Sequence, residues 1–257
     1  MNLFYYDKTF EGILCCIYEA YSLKLFPDLL LAVGTVPPMF VDNQITIVSD
    51  KEKAFRVWKG LEKYLSPSAM SMLTNAWLSE LPDIDITLFR YMRKTFDAKK
   101  SIEMNFSDPD VLYLCQVYKK VQYERMNILK FIRFQKAIDG TYFAAIEPQF
   151  NALPLAIPHF KDRFNDQPWF IYDIKRKYGY YYDLKEVKQV TFDDPHLEHL
   201  VTGKLNESIM DKDEKLFQQL WRSYFKAICI KQRWNPKKHR KDLPFRYWKY
   251  LTEKQQC

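Results

Sequence analysis

Residues 129–183 read LKFIRFQKAIDGTYFAAIEPQFNALPLAIPHFKDRFNDQPWFIYDIKRKYGYYYD, and the fold turns on how this stretch is read. Asp139-Gly140 is a two-residue turn signal of the kind that takes a positive φ. Aromatic and β-branched residues flank it, so Leu129–Glu147 is expected to form a type I′ hairpin. Pairing Ile138 with Thr141 sorts the strands into two faces, since successive side chains point to opposite sides. Phe131, Arg133, Gln135, Tyr142, Ala144 and Ile146 share one face. Ile132, Phe134, Lys136, Phe143, Ala145 and Glu147 share the other, and Pro148 ends the strand.

A second hairpin is expected over Trp169–Asp183, with WFIYDI and YGYYYD as its strands and Lys175-Arg176-Lys177 at the bend. Glu186–Phe192 reads as a further strand. Between the hairpins, Leu155–Phe164 reads as a short helix. Proline is tolerated only in the first turn of a helix, so Pro158 moves the expected start towards Ile157. The order β-β-α-β-β-β predicts an α+β fold: an antiparallel sheet of about five strands with helices packed on it.

Working outward, the chain has 257 residues, of which 47% are hydrophobic and 17% aromatic, enough for a sizeable core. It is expected to form a single compact domain, with residues 1–107 mostly helical and 108–257 carrying the sheet and a basic end. Six glycines, with no G-x-G-x-x-G and no G-x-x-x-x-G-K-[ST], argue against a glycine-rich nucleotide fold. The five cysteines, Cys15, Cys16, Cys115, Cys229 and Cys257, show no C-x-x-C spacing. That argues against a disulfide framework and against a zinc or iron–sulfur site, so no cofactor is expected. Cys15 and Cys16 read as small core residues. Ile13–Ile17 and Leu29–Val33 are apolar runs too short to span a bilayer, and the start lacks the pattern of a signal peptide. The expected setting is the cytoplasm, with no membrane contact.

In the first half, residues 1–6 read as a short strand. Asp7 or Thr9 caps a helix to about Leu25, and Gln44–Val48 reads as a strand. Helices are expected near Lys51–Tyr64, Pro67–Ser79 and Ile84–Phe96, and a longer one over Asp110–Asn127. His196 and His199 have the spacing of two metal ligands on one helix face, but no third ligand accompanies them, so a solvated helix is the reading here.

The net positive charge is concentrated in the last 39 residues. From Gln219 to Cys257 there are seven Lys and four Arg against Asp242 and Glu253, a net +9; the whole chain is +7, which leaves residues 1–218 at −2. A helix is expected over Asp211–Arg233, with Phe217, Leu220, Tyr224 and Ile228 as its apolar stripe. Arg222, Lys226 and Arg233 share another side. Lys237, Lys238 and Arg240 follow, then Arg246 and Trp248. Cations that neutralise phosphate, interleaved with aromatic rings that stack on unpaired bases, fit nucleic-acid binding. An acidic surface on a protein partner would attract the same segment.

Four stretches resemble an uncharacterised bacterial family described as probable DNA metabolism proteins (domain of unknown function 4130). They are FYYDKTFEGILCCIYEAY (4–21), FIRFQKAIDGTYFAAIEP (131–148), LPLAIPHFKDRFNDQPWFIYDIKRKYGYYYD (153–183) and LWRSYFKAICIKQRWNPKKHRKDLPFRYWKYL (220–251). The resemblance covers nearly the whole chain. It implies a role in DNA repair or modification beside a radical-SAM protein encoded nearby. The family's domain also occurs fused to a uracil-DNA-glycosylase-like domain, of which these residues carry no motif. The resemblance supplies no catalytic residues.

From the residues themselves, a catalytic site would draw on His159, Asp173 and Glu147, with Asp166 and Tyr172 nearby. A histidine with carboxylates serves as general acid and base, and a desolvated aspartate beside a flipped base suits N-glycosidic cleavage. Asp173 alternates with Trp169 and Ile171, so burial is expected, with Arg133 or Arg163 as its partner. The plainer reading has Asp173 fix the hairpin and His159 cap its helix. A DNA surface would use Arg133, Arg163, Arg176 and Lys177 together with the basic C-terminal residues. Three readings therefore stand: a DNA-binding protein, an enzyme acting on DNA or a nucleobase, and a protein adaptor. The sequence leaves the oligomeric state open.

Overall fold

The computed structural model describes residues 1–192, 198–230 and 235–254. The chain divides into two compact units, Met1–Gln122 and Tyr123–Cys257. Among the described residues no helix is long and apolar enough to cross a membrane.

The first unit opens with β1 (Asn2–Tyr6) and α1 (Phe10–Leu23), followed by β2 (Leu29–Ala32) and β3 (Asn43–Thr46). Thr9 starts α1 by accepting a hydrogen bond from Gly12 N at 2.9 Å. The three strands form a parallel sheet in the order β2-β1-β3. This sheet goes beyond the mostly helical expectation. The run LLLA of β2 shows no alternation, because α1 returns the chain parallel to β1 and one strand of four residues is too short to display a period. Cys15 and Cys16 are buried in α1, as expected.

Four helices complete this unit's part of the chain: α2 (Lys51–Leu61), α3 (Pro67–Trp77), α4 (Ile84–Ala98) and the start of α5 (Pro109–Phe131). Asp50 caps α2, and Ser66 caps α3 ahead of Pro67. All four lie where the sequence places helices. Asp110 joins α5 to α4: Arg90 Nη2 donates to its Oδ1 at 2.7 Å and Lys94 Nζ to its Oδ2 at 2.8 Å.

The second unit begins within α5. Its sheet comprises β4 (Gln135–Lys136), β5 (Tyr142–Ile146), β6 (Trp169–Asp173), β7 (Tyr178–Tyr182) and β8 (Val187–Thr191), hydrogen-bonded in sequence order. Five strands were expected, but the sheet is mixed. β5 pairs with β6 in parallel, Ile146 opposite Asp173, because α6 (Leu153–Arg163) carries the chain back across one face between them. The other pairings are antiparallel.

The first hairpin also differs from expectation. α5 runs on to Phe131, so only two residues remain for β4. Gln135 pairs with Phe143 and Lys136 with Tyr142, one residue out of the expected register. Gly140 N donates to Ala137 O at 2.9 Å, Ala137 N donates to Thr141 O at 2.9 Å, and Gly140 takes φ +85° while Asp139 does not enter the left-handed region. This is a three-residue loop closed by a left-handed glycine rather than a type I′ turn. α6 starts at Leu153 with Pro154 in its first turn, which leaves Pro158 inside the helix rather than at its start.

α6 lays Ala156, Ile157 and Phe160 inward, with Phe160 edge-on to the fully buried Trp169 at 6.4 Å. The opposite face of the sheet presents Phe143, Ala145 and Tyr172 to Leu200, Leu205 and Tyr250. Among the described residues four more helices follow: α7 (Glu198–Thr202), α8 (Glu214–Ile228), α9 (Pro236–Asp242) and α10 (Phe245–Trp248). Glu214 anchors α8 by accepting from Lys136 N at 3.1 Å. Phe217, Leu220, Tyr224 and Ile228 of α8 do lie on one side, but within this unit that side stays exposed, from 53% to 63%.

Candidate functional site

Because β5 and β6 run in parallel, their carboxyl ends lie side by side, and two loops leave the sheet there. One is Glu147-Pro148-Gln149 and the other is the hairpin turn at Lys175-Arg176-Lys177. Asp173 closes β6 with no exposed surface. Its carboxylate accepts from Arg176 Nη1 at 2.9 Å and Arg176 N at 3.2 Å. The same guanidinium donates to Pro148 O and Gln149 O, each at 3.2 Å, and so ties the two loops together. Burial pushes the Asp173 carboxyl above the ordinary range, although Arg176 pulls the other way. The partner expected for Asp173 was Arg133 or Arg163. A residue three positions along the same turn holds it instead, because the left-handed Lys177 folds the turn back over the strand end.

A second buried carboxylate supports these loops from α5. Glu124 is 1% exposed and accepts from Gln149 N at 2.6 Å and from Tyr247 Oη at 3.0 Å, and it pairs with Arg246 Nη2. α10 is fixed to the sheet end in this way. Glu147 sits nearer the surface, paired with Lys249 Nζ and accepting from Tyr250 Oη at 3.2 Å. The bond from Lys249 holds the Glu147 carboxyl below its usual value. Burial, with Glu147 alongside, pushes the Tyr250 hydroxyl far above its own.

Between these loops and α10 lies a cleft of about 660 Å³. Glu147, Pro148 and Gln149 form one side; Lys175, Phe245, Arg246 and Lys249 complete it. Of the three catalytic candidates, the fold thus brings Glu147 and Asp173 to the same end of the sheet. His159 is exposed on α6 with its ring 5.7 Å from Phe160, and does not line the cleft.

The basic candidates divide by what they touch. Arg133 is spent internally, with Nη2 donating to Glu253 Oε1 at 2.8 Å, and Arg176 and Arg246 hold buried carboxylates. Arg163 and Lys177 are exposed. Arg222 and Lys226 line a polar groove of about 700 Å³ beside α8. Arg233 and His196 lie outside the described residues. α9 is capped by Asn235, whose side chain accepts from Lys238 N at 3.0 Å. Along it, Lys237, Lys238, Arg240 and Lys241 are all exposed. Lys238 reaches Asp242 at 3.5 Å, and Arg240 lies over the Phe245 ring at 5.6 Å. Trp248 donates to Leu243 O at 3.0 Å and packs on Phe245 with ring centroids 4.3 Å apart. Sequence reasoning passed over Phe245 and Lys249 as site residues. Their signal was the alternation of rings and cations in FRYWKY, which shows no spacing of its own.

A family model described as a domain of unknown function (DUF4130) matches residues 82–253. No curated protein matches the chain. Among solved structures, the chain is similar to a pGpG-specific phosphodiesterase, PggH, from Vibrio cholerae. That likeness has 12% identity and a TM-score of 0.37 over 88% of this chain and 99% of the other, and at that level it carries no argument about fold or activity.

Proposed function

The chain belongs to the family described as a domain of unknown function (DUF4130), and on that premise we propose that it binds DNA and acts in DNA repair or modification. The observation that carries this reading is α9. Lys237, Lys238 and Lys241 project from one short capped helix beside the Phe245–Trp248 pair. Among the described residues Lys237 and Lys241 have no acidic side-chain partner, so their charge is available to phosphate. An exposed ring beside such cations, here Phe245, suits bases that have left the duplex stack. Replacing Lys237, Lys238 and Lys241 together by Gln is expected to weaken binding of a labelled oligonucleotide by about tenfold or more. An unchanged affinity contradicts the reading. A radical-SAM partner follows from the family resemblance alone, and co-purification of the two proteins tests it.

A second reading, an enzyme acting on DNA or a nucleobase, is favoured by one observation. Glu147 lines a cleft at the carboxyl ends of parallel strands, where α/β sheets commonly place their ligands. On this reading Glu147→Gln abolishes conversion of a base-modified oligonucleotide while the oligonucleotide still binds. A variant that retains full turnover counts against it.

A further inference from the structure

We propose that the cleft at the carboxyl ends of β5 and β6 receives a single nucleotide unit, its phosphate against Arg246, Lys175 and Lys249 and its base against Phe245. The proposal deepens the DNA-binding reading and rests on it for the source of the nucleotide, but it uses different residues.

The charge of the cleft argues for an anion. Three of its side chains are cationic; Lys249 is paired with Glu147 and Arg246 with Glu124, which leaves Lys175, among the described residues, as the cation of the cleft with no acidic side-chain partner. Arg246 carries the argument furthest. Its Nη2 is fixed on Glu124, which is itself pinned by Gln149 N and Tyr247 Oη. Its Nε is buried without a hydrogen-bond partner, its guanidinium lies over the Tyr247 ring at 5.1 Å, and 33% of the side chain remains exposed. A guanidinium anchored in this way, with a third of its side chain still exposed, is preorganised to meet a phosphate, and little rotamer entropy remains to be lost on binding. Lys175 is held over the same loop, donating to Gln149 O at 3.2 Å.

The shape and the aromatic wall argue for a nucleotide rather than a bare anion. A volume of about 660 Å³ falls in the range of roughly 300–1,000 Å³ of small-molecule sites. Phe245 is 57% exposed. It is braced by Trp248, so a base stacking on it meets a ring already ordered. A free mononucleotide and a nucleotide at a strand end offer the same chemistry.

The test is calorimetric titration of the full chain with thymidine monophosphate, thymidine and inorganic phosphate, with thermal melts as a check on folding. Thymidine monophosphate is expected to bind at least about tenfold more tightly than either fragment. Phe245→Ala and Lys249→Gln are each expected to weaken it by at least about fivefold. The variant carrying Gln at Lys237, Lys238 and Lys241 keeps the affinity. No heat with thymidine monophosphate at millimolar concentration overturns the proposal, as does an affinity untouched by both cleft variants, or phosphate binding as tightly as the nucleotide. A short single strand carrying a terminal phosphate separates the sources. Tighter binding than its unphosphorylated form, lost in Lys249→Gln, makes the strand end the ligand, and equal binding makes it the free nucleotide. If thymidine monophosphate binds and no oligonucleotide does, the cleft stands and the DNA reading fails.

Discussion

Asp173 and Arg176 form an ion pair with 0% and 10% of their side chains exposed. Removing one partner of such a pair leaves a charge stranded away from water. Arg176→Ala is therefore expected to cost about 3–5 kcal/mol in chemical denaturation, and adding Asp173→Asn to recover a good part of it. A double variant as unstable as the single one contradicts this. The native pKa of Asp173 lies above the ordinary value, so its contribution to stability is fullest below a pH of about 3.9 and is lost as pH rises through the raised value. Asp110 has the opposite sign. Burial pushes it up, but the bonds from Arg90 and Lys94 outweigh burial and its pKa is lowered. Its stabilisation is present above a pH of about 3.9 and is lost as pH falls through the lowered native value. In an acid titration of the full chain, Asp110→Asn is expected to flatten the loss in the signal from the first unit; an unchanged acid limb counts against the role given to Arg90 and Lys94. At this scale the sequence showed that Asp173 would be buried, because it shares the parity of Trp169 and Ile171. It did not show which arginine would answer it, because that depends on the backbone of the turn, where the left-handed Lys177 brings position 176 over the strand end.

Among the elements, the second hairpin was the most legible. WFIYD and YGYYY have matching lengths, and the observed register sets Asp173 opposite Tyr178. Gly179 is required there. A Cβ would lie 2.5 Å from Ile171 O and 2.6 Å from the Phe170 ring, so Gly179→Ala is expected to cost about 1–3 kcal/mol by overpacking. A melt within error of the parent would show that the ring moves aside freely. The first hairpin was misread by one residue, since Asp-Gly closes both two- and three-residue loops and only Asp139, left-handed in a type I′ turn but not here, distinguishes them. The parallel pairing of β5 and β6 follows from α6 reversing the chain, which strand patterns alone do not encode. α10 depends on a contact 123 residues away in sequence, Tyr247 Oη to the buried Glu124. Tyr247→Phe is expected to cost about 1.5–3 kcal/mol, as for a hydrogen bond to a charged group, and to loosen the wall of the cleft. A stability equal to the parent's removes Glu124 as the anchor.

Across the molecule, charge is the property most directly readable from sequence. The last 39 residues hold a net +9 while the rest sum to −2. Folding then divides those cations: Arg246 holds a buried carboxylate, as do Arg133 and Arg176 outside the segment, whereas Lys237, Arg240 and Lys241 remain at the surface. Composition alone could not make that division, because each pairing joins residues far apart in sequence or across a turn. The surface set is small, so the expected salt dependence is moderate. Three or four neutralised phosphates give a slope of log affinity against log salt of about −2 to −3 on single strands. Fluorescence anisotropy of the full chain with labelled single- and double-stranded DNA across a salt series is the most direct measurement of the central claim. DNA binding through α9 predicts micromolar or tighter affinity at low salt and that slope, with the slope becoming shallower by about two units when Lys237, Lys238 and Lys241 are replaced by Gln. Binding of neither strand form at low salt, or an affinity independent of salt, contradicts it.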